Sequence, residues 1–332
     1  MKIIVSIGDC NGIGLETFYK AVHKLNSGRA LKDKIRLSLA GNKKSIKEYF
    51  KKLNFDARSS KNGIVIENIE IDIIDLSYYS PVKFGKMTNE SAKLTIESLD
   101  FSVQAVIDKK YDALVTLPIN KYALQRVGWK YPGHTEFLAA KTLSDSYLMI
   151  LMRGKLRVAL VTTHIPISEL TKTINQHLIN NKAISFLNSL KQDFSIKRPK
   201  VAVLGLNPHA GENGSIGNEE IMIIKPAIDN LNIVENNFFG PFPADGFFAH
   251  NEYKYYDGIL AMYHDQGLIP LKLLAGNKGV NFTANLPIVR TSPDHGTAFQ
   301  IAGKGIANGY STYEAIKMAY QISKRRKNNQ GM

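Results

Sequence analysis

The sequence predicts an α/β fold in which a mostly parallel sheet lies between two layers of helices. Two observations support this fold class: strand-like and helix-like segments alternate along the 332 residues, and the strand-like segments are near-continuous apolar runs. Such runs are typical of strands that are buried on both faces. The length fits about two domains or one large unit, so we expect a three-layer α/β/α architecture with two lobes around a cleft.

The elements follow one another in a regular order. A strand is predicted over residues 2–8 and a helix over residues 15–26. In the helix predicted from about Glu90 to Lys110, apolar residues recur at alternating steps of four and three, which builds one buried face. The other predicted elements are a strand over 35–41, a Lys-rich helix within 42–54, and strands over 69–75, 112–118, 156–164, 200–209 and 256–264.

Composition and charge exclude several classes of protein. The formal net charge is +14, but the lysines are scattered and no aromatic residues interleave with a basic stripe, so we expect a solvated surface and no nucleic-acid partner. Cys10 is the single cysteine, which fits a reducing compartment. No apolar run approaches the ~20 residues that cross a bilayer. We therefore expect a cytoplasmic protein without a membrane partner.

Three histidines carry the strongest indication of chemistry. His164, His209 and His264 each close one of the predicted apolar strands. Because ligands bind at the carboxyl edge of parallel sheets, three imidazoles could meet there. Three His ligands with an open position form a catalytic arrangement for Zn²⁺, and nitrogen ligands disfavour Mg²⁺. The alternative for each is a hydrogen-bonded loop histidine, since the spacing matches no short metal motif.

Two aspartates are candidates for supporting the chemistry of these histidines. Asp265 directly follows His264, and Asp245 lies in the segment GPFPADG. Each could orient an imidazole or act as an acid or base, and the alternative for each is a turn-forming or helix-capping residue.

A glycine-rich segment is the candidate cofactor loop. The chain lacks a G-x-G-x-x-G fingerprint after a strand, so a standard Rossmann site is not predicted. The segment AGENGSIGNEE could instead let the backbone approach a cofactor closely, and a flexible turn is an equal alternative. Its candidate residues are Gly211, Gly214, Gly217 and Glu219.

Cationic residues near the C-terminal end are candidates for holding an anion. Arg290 lies between LPIV and TSPDHG, and this apolar, Gly-rich setting favours a bidentate clamp over a surface cation. Lys272 is a second candidate for the same role.

Several long motifs occur in order from Gly8 to Gly305. On these motifs the chain resembles the 4-hydroxythreonine-4-phosphate dehydrogenase family of pyridoxal phosphate biosynthesis, over nearly its whole length. The motifs are GDCNGIGLE, GHTEFLA, RVALVTTHIP, GLNPHAGENGSIGNEE, GPFPAD, AMYHDQGLIPLK and GVNFTANLPIVRTSPDHGTAFQIAGKG.

This resemblance implies a fold similar to isocitrate and isopropylmalate dehydrogenases, which bind NAD(P) without a Rossmann fingerprint. It implies a homodimer with its active site at the interface and approximate lobes over 1–125 with 285–332 and over 126–284. The implied cofactors are NAD or NADP and a divalent metal, with Zn²⁺ first and Mg²⁺ or Co²⁺ as alternatives. The implied metal ligands are His164, His209 and His264, the third coming from the partner subunit, and the implied substrate contacts are His134, Thr135, Lys272, Asn281 and Arg290.

The implied reaction is the oxidation of 4-phosphohydroxy-L-threonine to 2-amino-3-oxo-4-phosphooxybutanoate, which decarboxylates to 3-amino-2-oxopropyl phosphate. Asp245, Asp265 and Lys272 are equal candidates for the catalytic base. Ala284 and Asn285 depart from the usual family pattern, which keeps oxidation of threonate or erythronate 4-phosphate open. Acyl transfer to phosphate and a non-catalytic basic binding protein are more distant alternatives.

Overall fold

The computed structural model describes residues 1–27, 31, 34–233 and 235–330. The chain divides into two compact units, Met1–Asp145 with Leu286–Lys327 and Ser146–Asn285 with Asn328–Met332. None of the helices among the described residues has the length and apolar character needed to cross a bilayer.

Strands and helices alternate along the chain, as expected for an α/β protein. The strands are β1 (Lys2–Ser6), β2 (Arg36–Gly41), β3 (Ala57–Ser59), β4 (Gly63–Ile66), β5 (Ile69–Asp75), β6 (Ala113–Thr116), β7 (Leu148–Arg153), β8 (Leu156–Leu160), β9 (Val201–Leu204), β10 (Phe238–Phe242), β11 (Gly258–Ala261), β12 (Val280–Ala284) and β13 (Arg290–Pro293). The α-helices are α1 (Gly14–Ser27), α2 (Lys43–Lys52), α3 (Asn89–Ile107), α4 (Lys121–Arg126), α5 (His134–Lys141), α6 (Leu170–Thr173), α7 (Gln176–Gln192), α8 (Lys225–Leu231), α9 (Ala244–Ala249), α10 (His264–Ala275) and α11 (Tyr310–Gln330).

In the first unit, the strand order is β13-β6-β1-β2-β5-β4-β3. The strands from β13 to β5 pair in parallel, and the β3–β4 and β4–β5 pairs are antiparallel. β1 is the middle one of the five parallel strands, and its residues Ile3, Ile4 and Val5 are fully buried. This burial explains why β1 reads as an unbroken apolar run in the sequence.

Helix α3 is tied to this sheet by polar as well as apolar contacts. Thr88 caps its first turn by accepting a hydrogen bond from the backbone N–H of Ser91 at 3.2 Å. The Ser98 hydroxyl donates to the carbonyl of Ala40 at 2.7 Å and accepts from the backbone N–H of Ile7 at 3.1 Å. The helix therefore satisfies backbone groups at the ends of two strands.

In the second unit, the strand order is β10-β9-β11-β8-β7-β12. β10, β9, β11 and β8 pair in parallel, whereas β7 is antiparallel to both of its neighbours. The core between this sheet and its helices includes Val158, Leu160, Ile259, Leu268 and Leu271.

The predicted fold class is confirmed, and the differences lie at strand ends and in six strands that were not predicted. The strands predicted over 156–164, 200–209 and 256–264 end earlier, at Leu160, Leu204 and Ala261. Apolar sequence continues past the last residue of each strand, so composition alone overestimated the strand length. The strands without a sequence-based prediction are β3, β4, β7, β10, β12 and β13.

We predict that Ser98→Ala lowers the free energy of unfolding by about 1–3 kcal/mol, because it leaves a buried carbonyl and a buried N–H without their partner. The measurement is urea denaturation followed by circular dichroism.

Ser102→Ala is the matched control, since this hydroxyl lies one turn further along α3, is fully buried and has no hydrogen-bond partner. Its replacement should be neutral or stabilising. Equal destabilisation by the two substitutions would contradict the role assigned to Ser98.

Candidate active site

Three neighbouring parallel strands place their exits at one edge of the sheet in the second unit. Ile259 of β11 pairs with Val158 of β8 on one side and with Ala202 of β9 on the other. Because the three strands run in the same direction, the segments that follow them leave from the same edge. The segment after β8 carries His164, the segment after β9 carries His209, and the segment after β11 carries His264.

Two of the three histidines lie side by side. The ring centroids of His164 and His264 are 6.0 Å apart. Zn–N bonds of about 2.0–2.1 Å hold two imidazoles on one ion with centroids on the order of 5–6 Å apart, so this separation fits two ligands of a single ion. His264 is the first residue of α10, and its Nδ1 lies 2.6 Å from Oδ1 of Asp265. If Asp265 accepts from Nδ1–H, the lone pair of Nε2 is left for a ligand.

His209 lies in a backbone segment of unusual conformation. It begins a run of left-handed residues that extends to Asn213, with φ 52° and ψ 26° at His209 itself. A left-handed conformation costs a non-glycine residue roughly 1–2 kcal/mol, so other contacts must hold the loop. Within the described part of the chain, no group of three or more His, Cys, Asp or Glu side chains is arranged to hold a metal ion. The chain thus brings His164 and His264 together without adding His209 to a three-residue cluster.

A buried carboxylate fixes the start of the His209 loop. Glu220 is only 4% exposed. Its Oε1 accepts from the backbone N–H groups of Leu206 and Asn207 at 2.6 and 2.8 Å, and its Oε2 accepts from Asn207 Nδ2 at 2.9 Å. These charge-assisted hydrogen bonds are stronger than neutral ones and offset part of the backbone strain. The sequence analysis assigned no site role to Glu220.

The glycines of the candidate cofactor loop are explained by packing within the loop. A Cβ on Gly211 would lie 2.6 Å from Oε2 of Glu220, and one on Gly217 would lie 2.6 Å from Nδ2 of Asn207. Gly214 has φ +95°, which favours glycine. Glu219 accepts a hydrogen bond from Asn207 Nδ2 at 2.7 Å. Cofactor binding by this loop stays a prediction.

The three candidate bases lie in different places. Asp265 is hydrogen-bonded to His264, whereas Asp245 is an exposed residue in the first turn of α9. Lys272 is exposed in the last turn of α10, and the helical rise of about 1.5 Å per residue puts its Cα about 12 Å along the axis from that of His264.

Asn281 has an unsatisfied amide. It lies in β12 opposite Leu151 of β7, and its Oδ1 is buried without a hydrogen-bond partner. Buried polar atoms without partners are uncommon, so this oxygen is available to a ligand or water.

The first unit holds a buried cation beside a neutral imidazole. Arg290, at the start of β13, is 2% exposed, and its Nε and Nη2 donate to Thr116 Oγ1 at 3.0 and 2.6 Å. Burial lowers the pKa of Arg290 to about 9, against the opposing effect of Glu136. Burial, Arg290 and Lys121 together hold the pKa of His134 well below its usual value, so the imidazole is neutral at pH 7.

This arrangement has the chemistry of an anion site. His134 is the first residue of α5 and Thr135 the second, and helix N-termini attract negative charge. The Nε2 atom of His134 is buried without a hydrogen-bond partner. Thr116, which orients the guanidinium, was not predicted, because the pairing of β6 with β13 joins residues that are far apart in the sequence.

Sequence comparisons with a family model and with known proteins agree on one family. Residues 31–319 match the family model described as pyridoxal phosphate biosynthetic protein PdxA. A 4-hydroxythreonine-4-phosphate dehydrogenase from Sulfurihydrogenibium sp. is 42% identical, over 98% of this chain and 100% of its own. A putative D-threonate 4-phosphate dehydrogenase from Oceanobacillus iheyensis is 37% identical, over 96% and 97% of the two chains.

Solved structures agree with the sequence matches. The crystal structure of 4-hydroxythreonine-4-phosphate dehydrogenase from Klebsiella pneumoniae is similar with a TM-score of 0.82 and 34% identity, over 97% of this chain and 98% of that one. With sequence and fold in agreement over nearly the full length, the chain belongs to the PdxA family of pyridoxal phosphate biosynthetic proteins.

Proposed function

We propose that this protein is an NAD(P)-dependent 4-hydroxythreonine-4-phosphate dehydrogenase. It oxidises the C3 hydroxyl of 4-phosphohydroxy-L-threonine: the hydride goes to the nicotinamide and the hydroxyl proton goes to a base. The product, 2-amino-3-oxo-4-phosphooxybutanoate, loses CO₂ to give 3-amino-2-oxopropyl phosphate. The observation that carries the proposal is the 42% sequence identity, over 98% of this chain, to a relative named 4-hydroxythreonine-4-phosphate dehydrogenase. The imidazoles of His164 and His264, which lie at the same edge of the sheet, support the metal-assisted form of the reaction.

We infer that His164, His209 and His264 bind a divalent metal. Imidazole nitrogens favour Zn²⁺ or Co²⁺ over Mg²⁺, so Zn²⁺ is the first candidate. When bound, such an ion supplies Lewis acidity that lowers the pKa of a coordinated hydroxyl. The carboxylate of Asp265 supports this role because it holds the His264 ring in one orientation.

The proposed site is completed by a second copy of the chain. Helix α10 begins with His264 and carries Ile269 and Leu273 one turn apart, with exposed fractions of 56% and 79%. Large apolar side chains that are exposed next to one another are typical of protein interfaces. A homodimer formed on this helix would bring His264 of the partner subunit to the ion held by His164 and His209, in place of His264 of the same chain.

The polar groups of the first unit would bind the phosphate of the substrate. The guanidinium of Arg290 is held by Thr116, and the unpartnered Nε2 of His134 offers a further hydrogen bond. Fixing the phosphate places C3 at a defined point, which lowers the entropic part of the barrier. The other proposed substrate contacts are Thr135, Lys272 and Asn281.

The base and the cofactor loop are proposed from the sequence motifs. Asp245, Asp265 and Lys272 are the candidate bases. Gly211, Gly214, Gly217 and Glu219 are the residues proposed to lie against the nicotinamide cofactor.

A related oxidation is the second candidate. The Oceanobacillus iheyensis relative is named a putative D-threonate 4-phosphate dehydrogenase. Threonate 4-phosphate carries a hydroxyl at C2 where 4-phosphohydroxythreonine carries an amino group, so recognition of C2 separates the two substrates.

We predict that 4-phosphohydroxythreonine gives a kcat/KM at least about tenfold above that of threonate or erythronate 4-phosphate, because a site that pairs with an amino group loses that interaction with a hydroxyl. The measurement is reduced-nicotinamide absorbance with NAD and with NADP, together with CO₂ release. A higher kcat/KM for a hydroxy acid would replace the first candidate by the second, and phosphate-dependent acyl transfer without absorbance change would exclude both.

We predict that His209→Ala removes bound Zn²⁺ and lowers kcat at least about a hundredfold, since a catalytic site with three ligands does not retain the ion on two. Metal content is measured by elemental analysis after dialysis, and turnover is measured in chelator-treated buffer. His177→Ala is the control, because His177 is an exposed residue of α7 and its ring hydrogen-bonds to Asn181 within the same helix. Near-normal turnover of the His209 variant in that buffer would refute the assignment.

We predict that Arg290→Lys raises KM for the phosphorylated substrate by about 10–100-fold with a smaller effect on kcat. An ammonium lacks the planar fork with which the guanidinium can donate to Thr116 from one edge and to a phosphate from another, and a charge-assisted hydrogen bond contributes about 1.5–3 kcal/mol. Arg58→Lys is the control, because Arg58 makes an exposed hydrogen bond to the carbonyl of Glu67 in the same unit. An unchanged KM with inorganic phosphate still acting as a competitive inhibitor would contradict the role of Arg290.

A further inference from the structure

A short chain of hydrogen bonds joins the exits of β8, β11 and β9. The backbone N–H and the hydroxyl of Thr162 donate to the carbonyl of Met262 at 3.1 and 2.8 Å. The backbone N–H of Met262 donates to Oε1 of Gln266 at 2.7 Å, and Nε2 of Gln266 donates to the carbonyl of Gly205 at 2.6 Å. The side chain of Gln266 therefore connects two strand exits, and Met262 extends the connection to the third.

Each exit in this chain leads to a histidine. Thr162 precedes His164 by two residues, and Gln266 follows His264 by two residues within the first turn of α10. Thr162 and Met262 are 6% and 0% exposed, so water competes little for their hydrogen bonds.

Gly205 transmits the connection to the loop of His209. A Cβ on Gly205 would lie 3.0 Å from the Cα and Cβ of Ala210, so the two backbones are in direct contact. Ala210 is the neighbour of His209 in the left-handed run. A shift of the Gly205 carbonyl would therefore move the backbone that carries His209.

We propose that Gln266 is a positioning residue that holds the segments of His164, His209 and His264 in a fixed relation. This inference rests on the proposed function, because it concerns the residues proposed to bind the metal. Glutamine suits the role because its amide accepts one hydrogen bond and donates another, which neither a carboxylate nor a thioether can do. Groups that orient metal ligands in this way typically change metal affinity by about 10–100-fold when they are replaced.

The test is the Zn²⁺ affinity of the full-length Gln266→Met variant, measured by competition with a chromophoric chelator. Methionine is similar in volume but makes neither hydrogen bond, so we expect the dissociation constant for Zn²⁺ to rise about 10–100-fold. The absorption spectrum of the Co²⁺-loaded protein should change in intensity, since it reports ligand geometry. The thermal midpoint of the metal-free protein should also fall, because the buried N–H of Met262 and the carbonyl of Gly205 lose their partner, so Zn²⁺ affinity is measured well below that midpoint.

Gln176→Met is the matched control. Gln176 lies in the same unit, and its Nε2 donates to the carbonyl of Met222 at 3.3 Å on the exposed surface. Its replacement removes one glutamine–carbonyl hydrogen bond without touching the strand exits, so Zn²⁺ affinity and the Co²⁺ spectrum should match those of the wild type.

Thr162→Val is the second variant and decides the outcome if Gln266→Met does not fold. It removes the hydroxyl hydrogen bond to Met262 and keeps the backbone one, so a smaller loss of Zn²⁺ affinity supports the inference. Wild-type affinity in every folded variant overturns the positioning role alone. A wild-type protein that binds no Zn²⁺ overturns the proposed metal site and this inference together.

Discussion

The parallel pairing of β11 with β8 on one side and β9 on the other is the constraint on which the chemistry of the second unit depends. It aligns Ile259 with Val158 and Ala202 and so delivers three separate segments of the chain to the same sheet edge. Apolar burial stabilises the strands, and the polar residues follow where pairing stops. The imidazoles of His164 and His264 are therefore brought close by the sheet and need no local sequence motif.

The first unit meets a different physical problem, which is the burial of a positive charge. The guanidinium of Arg290 is removed from water and is held by Thr116 on the adjacent strand. Burial lowers its pKa only to about 9, so it stays charged near neutral pH. In surroundings of low polarity this charge interacts strongly with an anion. Burial first, and this charge second, lower the pKa of the nearby His134 and keep its imidazole neutral. The same desolvation that opposes folding here would strengthen the proposed binding of a phosphate.

Prediction from the sequence succeeded where the signal is local and failed where it depends on distant partners. The apolar runs that became β1, β8, β9 and β11 were readable because each is buried on both faces. The short strands β12 and β13 carry mixed polar and apolar residues, and only their pairing with β7 and β6 identifies them. Candidate ligands were found by residue type and strand-end position, whereas Glu220 and Gln266 look like ordinary helix residues in the sequence. The backbone groups to which they hydrogen-bond include Asn207, 13 positions from Glu220, and Gly205, 61 positions from Gln266.

The run of left-handed backbone from His209 to Asn213 also constrains how this loop can diverge. Backbone handedness, more than polarity or size, determines which residues it accepts: glycine, asparagine and aspartate adopt this conformation readily, and valine, isoleucine and threonine do not. Among related proteins, variation in this segment should therefore be confined to a few residue types, even at positions whose side chains only face water. The position of His209 is therefore restricted in the same way as its neighbours, because it shares their backbone conformation.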